Sequence, residues 1–305
     1  MDIEYFVARR KARGLSQVAL CKGICTQSTL SKFENNNQIP SLPILRQLCE
    51  RLDLTIDDLD EKSRQTYWLR HQLDRAEEEL MVENYQQAMQ ILKELDADRL
   101  TSVDAKMQYC YLEGLLATLV NDTDTAALFS FTRILDELDE RHQTVFAQLA
   151  YLGEGILYAR KNSMDRAAFF MAKVEAYLAN RQDEHDPHGD NVDNGRLLTM
   201  VYYLAEYHAL TGDYDLSNQY LAQGLARCAK EHVTYFLPRL KLLAAQNGLE
   251  TAVTPRQVMD DLLDARAFAR LNQNNAVLIQ TTALIKHYQD LLAGSLTGDS
   301  NGTNQ

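Results

Sequence analysis

Proline and glycine are scarce in this chain, at five and thirteen of 305 residues. In a sequence rich in Ala, Leu and Gln, that scarcity leaves little to break helices and points to a nearly all-helical protein. Long apolar runs are missing as well. None approaches the ~20 residues that a membrane-spanning helix needs, and the opening MDIEYF has no signal-peptide character. The expectation is a soluble, cytoplasmic protein. Cysteines are few, odd in number and irregularly spaced: Cys21, Cys25, Cys49, Cys110 and Cys228. They suit neither a zinc site nor a disulfide framework, so they read as small buried apolar residues. There is no glycine-rich phosphate loop after a strand, and no Ser/His/Asp or Cys/His arrangement. HDPHGD (185–190), with Glu184, has metal-friendly residue types but sits in a polar insertion without helical spacing. No enzyme, metal or cofactor is expected.

Charge is unevenly shared. The whole chain carries −12, yet residues 1–52 hold eight Lys/Arg against four Asp/Glu, and the remainder holds 23 against 39. A mildly basic head on an acidic body argues that only the head meets a polyanion.

Within that head, SQVALCKGICTQSTLSKFENNN (16–37) predicts a helix, a tight turn and a second helix. Ser16 is placed to cap the first, Gly23 to end it, and Thr26 to cap the second. At 100° per residue Leu30 and Phe33 face inward, while Ser28, Lys32 and Asn35 project outward with Ser31 beside them and Gln27 in the first turn. Gln bonds adenine bidentately, Lys donates to guanine, and Ser can do either, so this face suits base-edge readout. Leu15, Val18, Leu20, Ile24, Leu30, Phe33, Leu45, Leu48 and Leu52 are the expected core. Arg9, Lys11, Arg13 and Lys22 cluster near the second helix as candidate phosphate contacts. Ser41 and Thr55 are expected caps, with Pro43 in a first turn.

RRKARGLSQVAL, TQSTLSKFENN and PSLPILRQLCERLDL together resemble the XRE/Cro-type helix-turn-helix of phage repressors over residues 3–60, with five helices. The resemblance implies an operator-backbone contact from Gln17, base reading by Gln27, Ser28 and Lys32, and an Arg10–Glu34 pair. Ser31, Asn35 and Asn36 complete the expected DNA-facing set. Asn35, Asn36 and Asn37 stand where the family usually places a glycine; Asn tolerates the left-handed conformation such a turn requires.

Beyond residue 60 a charged helix (61–80) leads into a loose period. VENYQQAMQIL, TDTAALFSFTRIL, NSMDRAAFFMAKV and GDYDLSNQYLAQGL each pair a polar turn with a helix carrying a small residue: Ala88, Ala126, Ala167 and Ser217. An insertion at 181–195 stretches the last interval. Tyr151, Gly155 and Tyr158 precede Ala167, and Gly114 repeats the glycine one unit earlier. These offsets resemble the tetratricopeptide repeat, in which small residues let paired helices approach closely. Four repeats are read, with a fifth near 234–270. The fold class is all-α: a repressor-like domain (1–60), then a right-handed tetratricopeptide-like solenoid (67–293), and a disordered tail (294–305).

The first helix of each pair in such a stack lines a concave groove. Groove-facing positions are expected at Arg70, Gln108, Tyr111, Thr118, Arg160, Tyr202, Glu206, Tyr235 and Arg239. Amides there could bond an extended peptide's backbone, Arg its carboxylate, and rings its side chains. A repressor-like head on this body resembles the peptide-pheromone receptors of Gram-positive bacteria, the PlcR/PrgX/Rgg group. That implies a cytoplasmic homodimer reading a near-palindromic DNA site under control of a short signalling peptide. Two other readings stay open: a DNA-anchored scaffold whose groove takes a protein, and a Rap-type regulator of signalling proteins.

Overall fold

The computed structural model describes residues 3–36, 38–120, 124–181, 191–251 and 253–298. Among them the chain forms fifteen α-helices and no strand. It divides into two compact units, 1–72 with 98–101, and 73–97 with 102–305.

The first unit holds α1 (Ile3–Ala12), α2 (Gln17–Cys21), α3 (Gln27–Asn36), α4 (Leu42–Arg51) and a 3₁₀ turn (Asp57–Leu59). Ser16 accepts from the Ala19 N–H at 3.1 Å, and Thr26 from the Thr29 N–H at 3.2 Å, so both expected caps form. Ser41 sits at its N-cap position but makes no side-chain bond, leaving Pro43 in the first turn as the start signal. Thr55 and Asp58 cap each other, the Thr55 N–H to Oδ2 at 2.6 Å and the Asp58 N–H to Oγ1 at 3.2 Å. Gly14 and Gly23 take the positive φ of 66° and 78° that their tight turns require. Phe6, Leu20, Leu30, Phe33, Leu45, Leu48 and Leu52 are fully buried, with Phe6 meeting Phe33 edge-on at 5.1 Å. Leu15 and Ile24 are half-buried at the edge of this core. Val18 is 64% exposed, so it is not core. A five-residue α2 has one inward face, and Leu20 and Cys21 occupy it.

α5 (Glu61–Met81) is one unbroken helix, and its second half opens the other unit. There follow α6 (Tyr85–Glu94), α7 (Val103–Leu119), α8 (Asp124–Thr132) with a π-helical extension (Arg133–Leu138), α9 (Val145–Arg160), α10 (Met164–Arg181), α11 (Asn191–Leu210), α12 (Tyr214–Glu231), α13 (Leu237–Glu250), α14 (Pro255–Leu271) and α15 (Asn275–Gly298). Within this unit α7/α8, α9/α10, α11/α12 and α13/α14 pack as pairs, the last of them over the stretch where a fifth repeat is read, and α15 packs on α14. α15 carries helix through 298, into the stretch expected to be a tail; 299–305, and the motif at 185–190, lie outside the described residues.

The small residues sit at the helix contacts. Ala88, Ala167 and Ser217 are wholly buried; in the second repeat the buried position is Ala127, and half-buried Ala126 stands one place early. In three repeats a left-handed residue precedes the small one by five positions: Glu83, Asn162 and Gly212, at φ 61°, 60° and 83°. A recurrent turn of this kind fixes how each second helix folds back on its first. Between α7 and α9 the Phe131 ring, fully buried, fills a slot bounded by Gly114 and Gly153, where a Cβ at Gly114 would come within 2.6 Å of it.

Two outcomes test this packing. Gly153→Ala should overpack the slot and cost ~1–3 kcal/mol of unfolding free energy, read by urea denaturation of the full chain. Glu154 on α9 is buried near Asp136, and burial lifts its carboxyl to about 7. The folded state therefore holds a proton that the unfolded state has released between about pH 4.5 and 7, and stability falls as pH rises through that window. Glu154→Gln should raise the melting temperature at pH 8 and leave it nearly unchanged at pH 4.

Candidate functional site

In the first unit a chain of hydrogen bonds ties three helices to one buried carboxylate. Arg10 grips Glu34 through both oxygens, Nε to Oε1 at 2.7 Å and Nη2 to Oε2 at 2.8 Å, and its Nη1 holds the Leu15 carbonyl at 2.8 Å. Gln17 donates to the same Glu34 at 2.8 Å, and Gln27 donates to Gln17 at 3.1 Å. The Arg10–Glu34 pair is thus the brace the resemblance implied, with side chains 11% and 3% exposed. Gln17 and Gln27 are held in register before any ligand arrives. Bidentate geometry makes this brace directional as well as strong.

The reading face stands over that brace. Leu30 and Phe33 are buried beneath it, Gln27, Ser28, Lys32 and Asn35 are exposed, and Ser31 is half-buried and accepts from Asn35 at 3.1 Å. Arg9, Lys11 and Lys22 are exposed as well. Asn36 ends α3, and Asn37 lies outside the described residues; the Gln38 N–H closes on the Lys32 carbonyl at 3.2 Å, ending the helix sharply. Sequence reasoning missed Arg51. Its Nη1 holds the carbonyls of Leu20 at 2.8 Å and Lys22 at 2.6 Å, clamping α4 to the end of α2 and the following turn. Arg13 pairs with Asp53 just beyond α4, and both side chains are open to solvent. Cys49 is buried, its thiol pushed up to about 11, which suits a packing residue and not a reactive one.

The groove positions fare differently. Gln108, Tyr111, Thr118 and Arg239 do turn inward, but they are buried at 4%, 1%, 2% and 3% exposure, with partners inside the protein. Glu77 on α5 pairs bidentately with Arg196 on α11, at 2.8 and 2.9 Å, and accepts from Gln108 on α7 at 2.7 Å. The Arg196 guanidinium lies 4.4 Å above the Phe146 ring on α9. Thr118 turns back on its own helix, to the Gly114 carbonyl at 2.9 Å. Exposed Arg160 caps α7 through the carbonyls of Thr118 and Leu119, at 2.9 and 2.8 Å. Tyr202 and Glu206 are half-buried and bonded to each other at 3.3 Å, with burial raising the Glu206 carboxyl. Half-buried Tyr235 lines a 330 Å³ cavity with Asp74, Glu77 and Met81. Arg70 falls in the first unit and is exposed. Of the nine expected groove positions four are therefore buried with partners inside the protein, three are half-buried, and Arg70 and Arg160 are exposed.

Residues 8–59 match the family model HTH_3, described as helix-turn-helix. No curated protein matches the chain. Among solved structures, PlcR of Bacillus thuringiensis, in complex with the peptide PapR7 and DNA, is similar with a TM-score of 0.57 at 14% identity, covering 92% of this chain and 98% of that one. ComR of S. thermophilus, in complex with DNA and its signalling peptide ComS, has a TM-score of 0.53 at 15% identity, over 93% and 98% of the two chains. ComR of Streptococcus vestibularis, with its cognate signalling peptide XIP, has a TM-score of 0.52 at 16% identity, over 93% and 97%. At these identities the likeness is one of fold: a helix-turn-helix followed by helical repeats. No described helix is long and apolar enough to cross a membrane.

Because Glu34 is buried and shared by Arg10 and Gln17, removing it strands a guanidinium. Glu34→Ala should cost ~3–5 kcal/mol, read as early loss of amide-exchange protection confined to the first unit. Retained protection across α1 to α3 would show that the brace is not what holds them.

Proposed function

We propose that this chain, a helix-turn-helix domain followed by the repeat fold seen in PlcR and ComR, is a sequence-specific DNA-binding regulator controlled by a short peptide held in its repeat unit. The observation that carries the DNA half is the exposed row Gln27, Ser28, Lys32 and Asn35 on a helix whose other side is buried and braced. Side chains of this kind read base edges in the major groove, while Arg9, Lys11 and Lys22 supply sequence-independent attraction to phosphate. The basic head and acidic body direct the polyanion to the first unit.

The peptide half is supported by fold. PlcR and ComR were solved holding peptides, and this chain shares their architecture across more than nine-tenths of its length. The working form is a cytoplasmic homodimer on a near-palindromic site, because a twofold pair of reading helices matches half-sites one helical turn apart. It acts as a regulator and not as an enzyme.

The DNA half can be tested by letting the protein choose its own site. A preferred duplex is selected from a random pool, then competed in gel shifts. Gln27→Ala and Lys32→Ala should each lose ~1–3 kcal/mol of discrimination at one base position, whereas Lys22→Ala should weaken all duplexes alike and lower the salt slope by ~1. Selection that yields no preferred sequence would overturn the assignment.

A further inference from the structure

Two residues beyond its buried small residue, the second helix of a repeat points away from its packing, about 200° round the helix axis. In α6 and α12 that outward position holds Gln90 and Gln219, both exposed, and the position one turn further on holds Glu94 and Gln223. In α8 and α10 the same two positions hold Phe129 with Arg133 and Phe169 with Lys173. Both phenylalanines are 61% exposed. Since α6 and α12 carry amides there, packing does not call for a ring. An exposed ring in the same register on two successive second helices, with polar residues on either side of the pair, marks a surface used for contact.

α8 and α10 both pack on α9, and rings tie the three together. Tyr158 of α9 stacks on Phe170 of α10 at 5.7 Å with the ring planes 3° apart, and Phe170 reaches Tyr151 of α9 at 6.2 Å. His142 joins Tyr151 to the extension of α8: its Nδ1 meets the Tyr151 hydroxyl at 2.6 Å, and its Nε2 donates to the Leu135 carbonyl at 3.0 Å. These rings are held in place before any contact is made. Their faces are already taken. Lys173 lies 4.7 Å from the Tyr151 centroid and 5.0 Å from that of Phe169, Arg166 lies 5.3 Å from Tyr158, and Arg133 lies 5.9 Å from Phe129. Arg133 also meets Glu137 at 3.6 Å, whereas Arg166 and Lys173 pair with no carboxylate among the described residues. What faces outward is ring edge and uncompensated positive charge, and an aromatic edge is itself electropositive. Residues 53–305 hold 39 Asp/Glu against 23 Lys/Arg, so the patch is opposite in sign to the body that carries it.

We propose that Phe129, Phe169, Arg133 and Lys173 form a docking surface on the outer side of α8 and α10 for an acidic amphipathic helix of a protein partner. The apolar stripe of such a helix covers the two rings, and Asp or Glu beside that stripe meets Lys173 and Arg166. Ala168 and Ala172, exposed next to Phe169, leave room for its backbone. A second copy of this chain fits poorly. A twofold contact through the patch sets its cations against their own copies, and a head-to-tail contact does not close. The acidic body around the patch disfavours nucleic acid. This surface belongs to the repeat unit and stands whether or not the reading helix binds DNA.

The test uses the full-length protein and a displayed library of single helices with randomised outer positions, counter-selected on the double variant Phe129→Gln, Phe169→Gln. Glutamine is what α6 and α12 carry at that position, so the double variant should keep the parent's melting curve. Selected helices should carry one apolar stripe with Asp or Glu beside it. Titrated by fluorescence anisotropy, they should weaken at least ~10-fold on either single Phe→Gln change. Lys173→Gln should weaken them and flatten their salt dependence, and so should replacing their own acids by the matching amides. Selected helices that are neutral or basic, or that ignore both Phe→Gln changes, would overturn the proposal, as would a library that yields no binder. Self-association of the parent in sedimentation velocity that disappears in the double variant would also overturn it, by making a second copy the occupant. If the double variant fails to fold, Lys173→Gln and the acid-to-amide comparison on the unmodified protein still decide.

Discussion

Stacked helix pairs leave one side of every first helix without a neighbour, and the repeat unit depends on how that side is covered. Here it is covered by the unit itself. Glu77 reaches Arg196 across 119 residues of sequence, Arg239 reaches Met81 across 158, and Glu83 reaches Asn274 across 191. Each contact joins the first repeat to a late one, beside an apolar cluster in which Met81 packs with Leu198, Phe236 and Leu240. The choice has a thermodynamic signature. A buried ion pair gives little net stability, because desolvation consumes most of the Coulombic gain, yet leaving one partner alone is expensive. Such contacts specify one arrangement strongly while adding little to its depth.

That design also explains what could be read from the sequence. The helices are legible because they are local: caps such as Ser16 and Thr26, left-handed turns and 3.6-residue periodicity act within a few positions. The Arg10–Glu34 brace spans 24 residues and comes from resemblance, since nothing in the composition pairs those two. Small residues mark the repeats, but two adjacent alanines look alike, and packing chooses Ala127 over Ala126. Val18 misleads because apolar character does not ensure burial in a helix too short to bury more than Leu20 and Cys21.

The groove residues show the deeper limit. A helical wheel gives the direction of a side chain, and direction is right for Gln108, Tyr111 and Arg239. It does not say what stands opposite. Tyr111 faces inward and is 1% exposed because distant repeats close over it. Arg51 escapes notice for a related reason: it holds the carbonyls of Lys22 and Leu20, 29 and 31 residues away. Neither long-range covering nor a carbonyl clamp leaves a periodic trace.

Closure sets a quantitative condition on any control by a peptide. If the open form is populated at a fraction f, apparent affinity for a ligand that needs it falls by that same fraction. Closing contacts with the net worth of one or two hydrogen bonds, ~1 kcal/mol each, would hold f between about 3% and about 15%. That is small enough to keep the unliganded protein closed and large enough for a short peptide to overcome. Linkage then binds the two functions together. If opening changes the affinity of the reading helices for their site by some factor, occupancy of that site must change the affinity for peptide by the same factor. Were the chain the peptide-controlled regulator proposed above, it would therefore measure its DNA site and its peptide jointly.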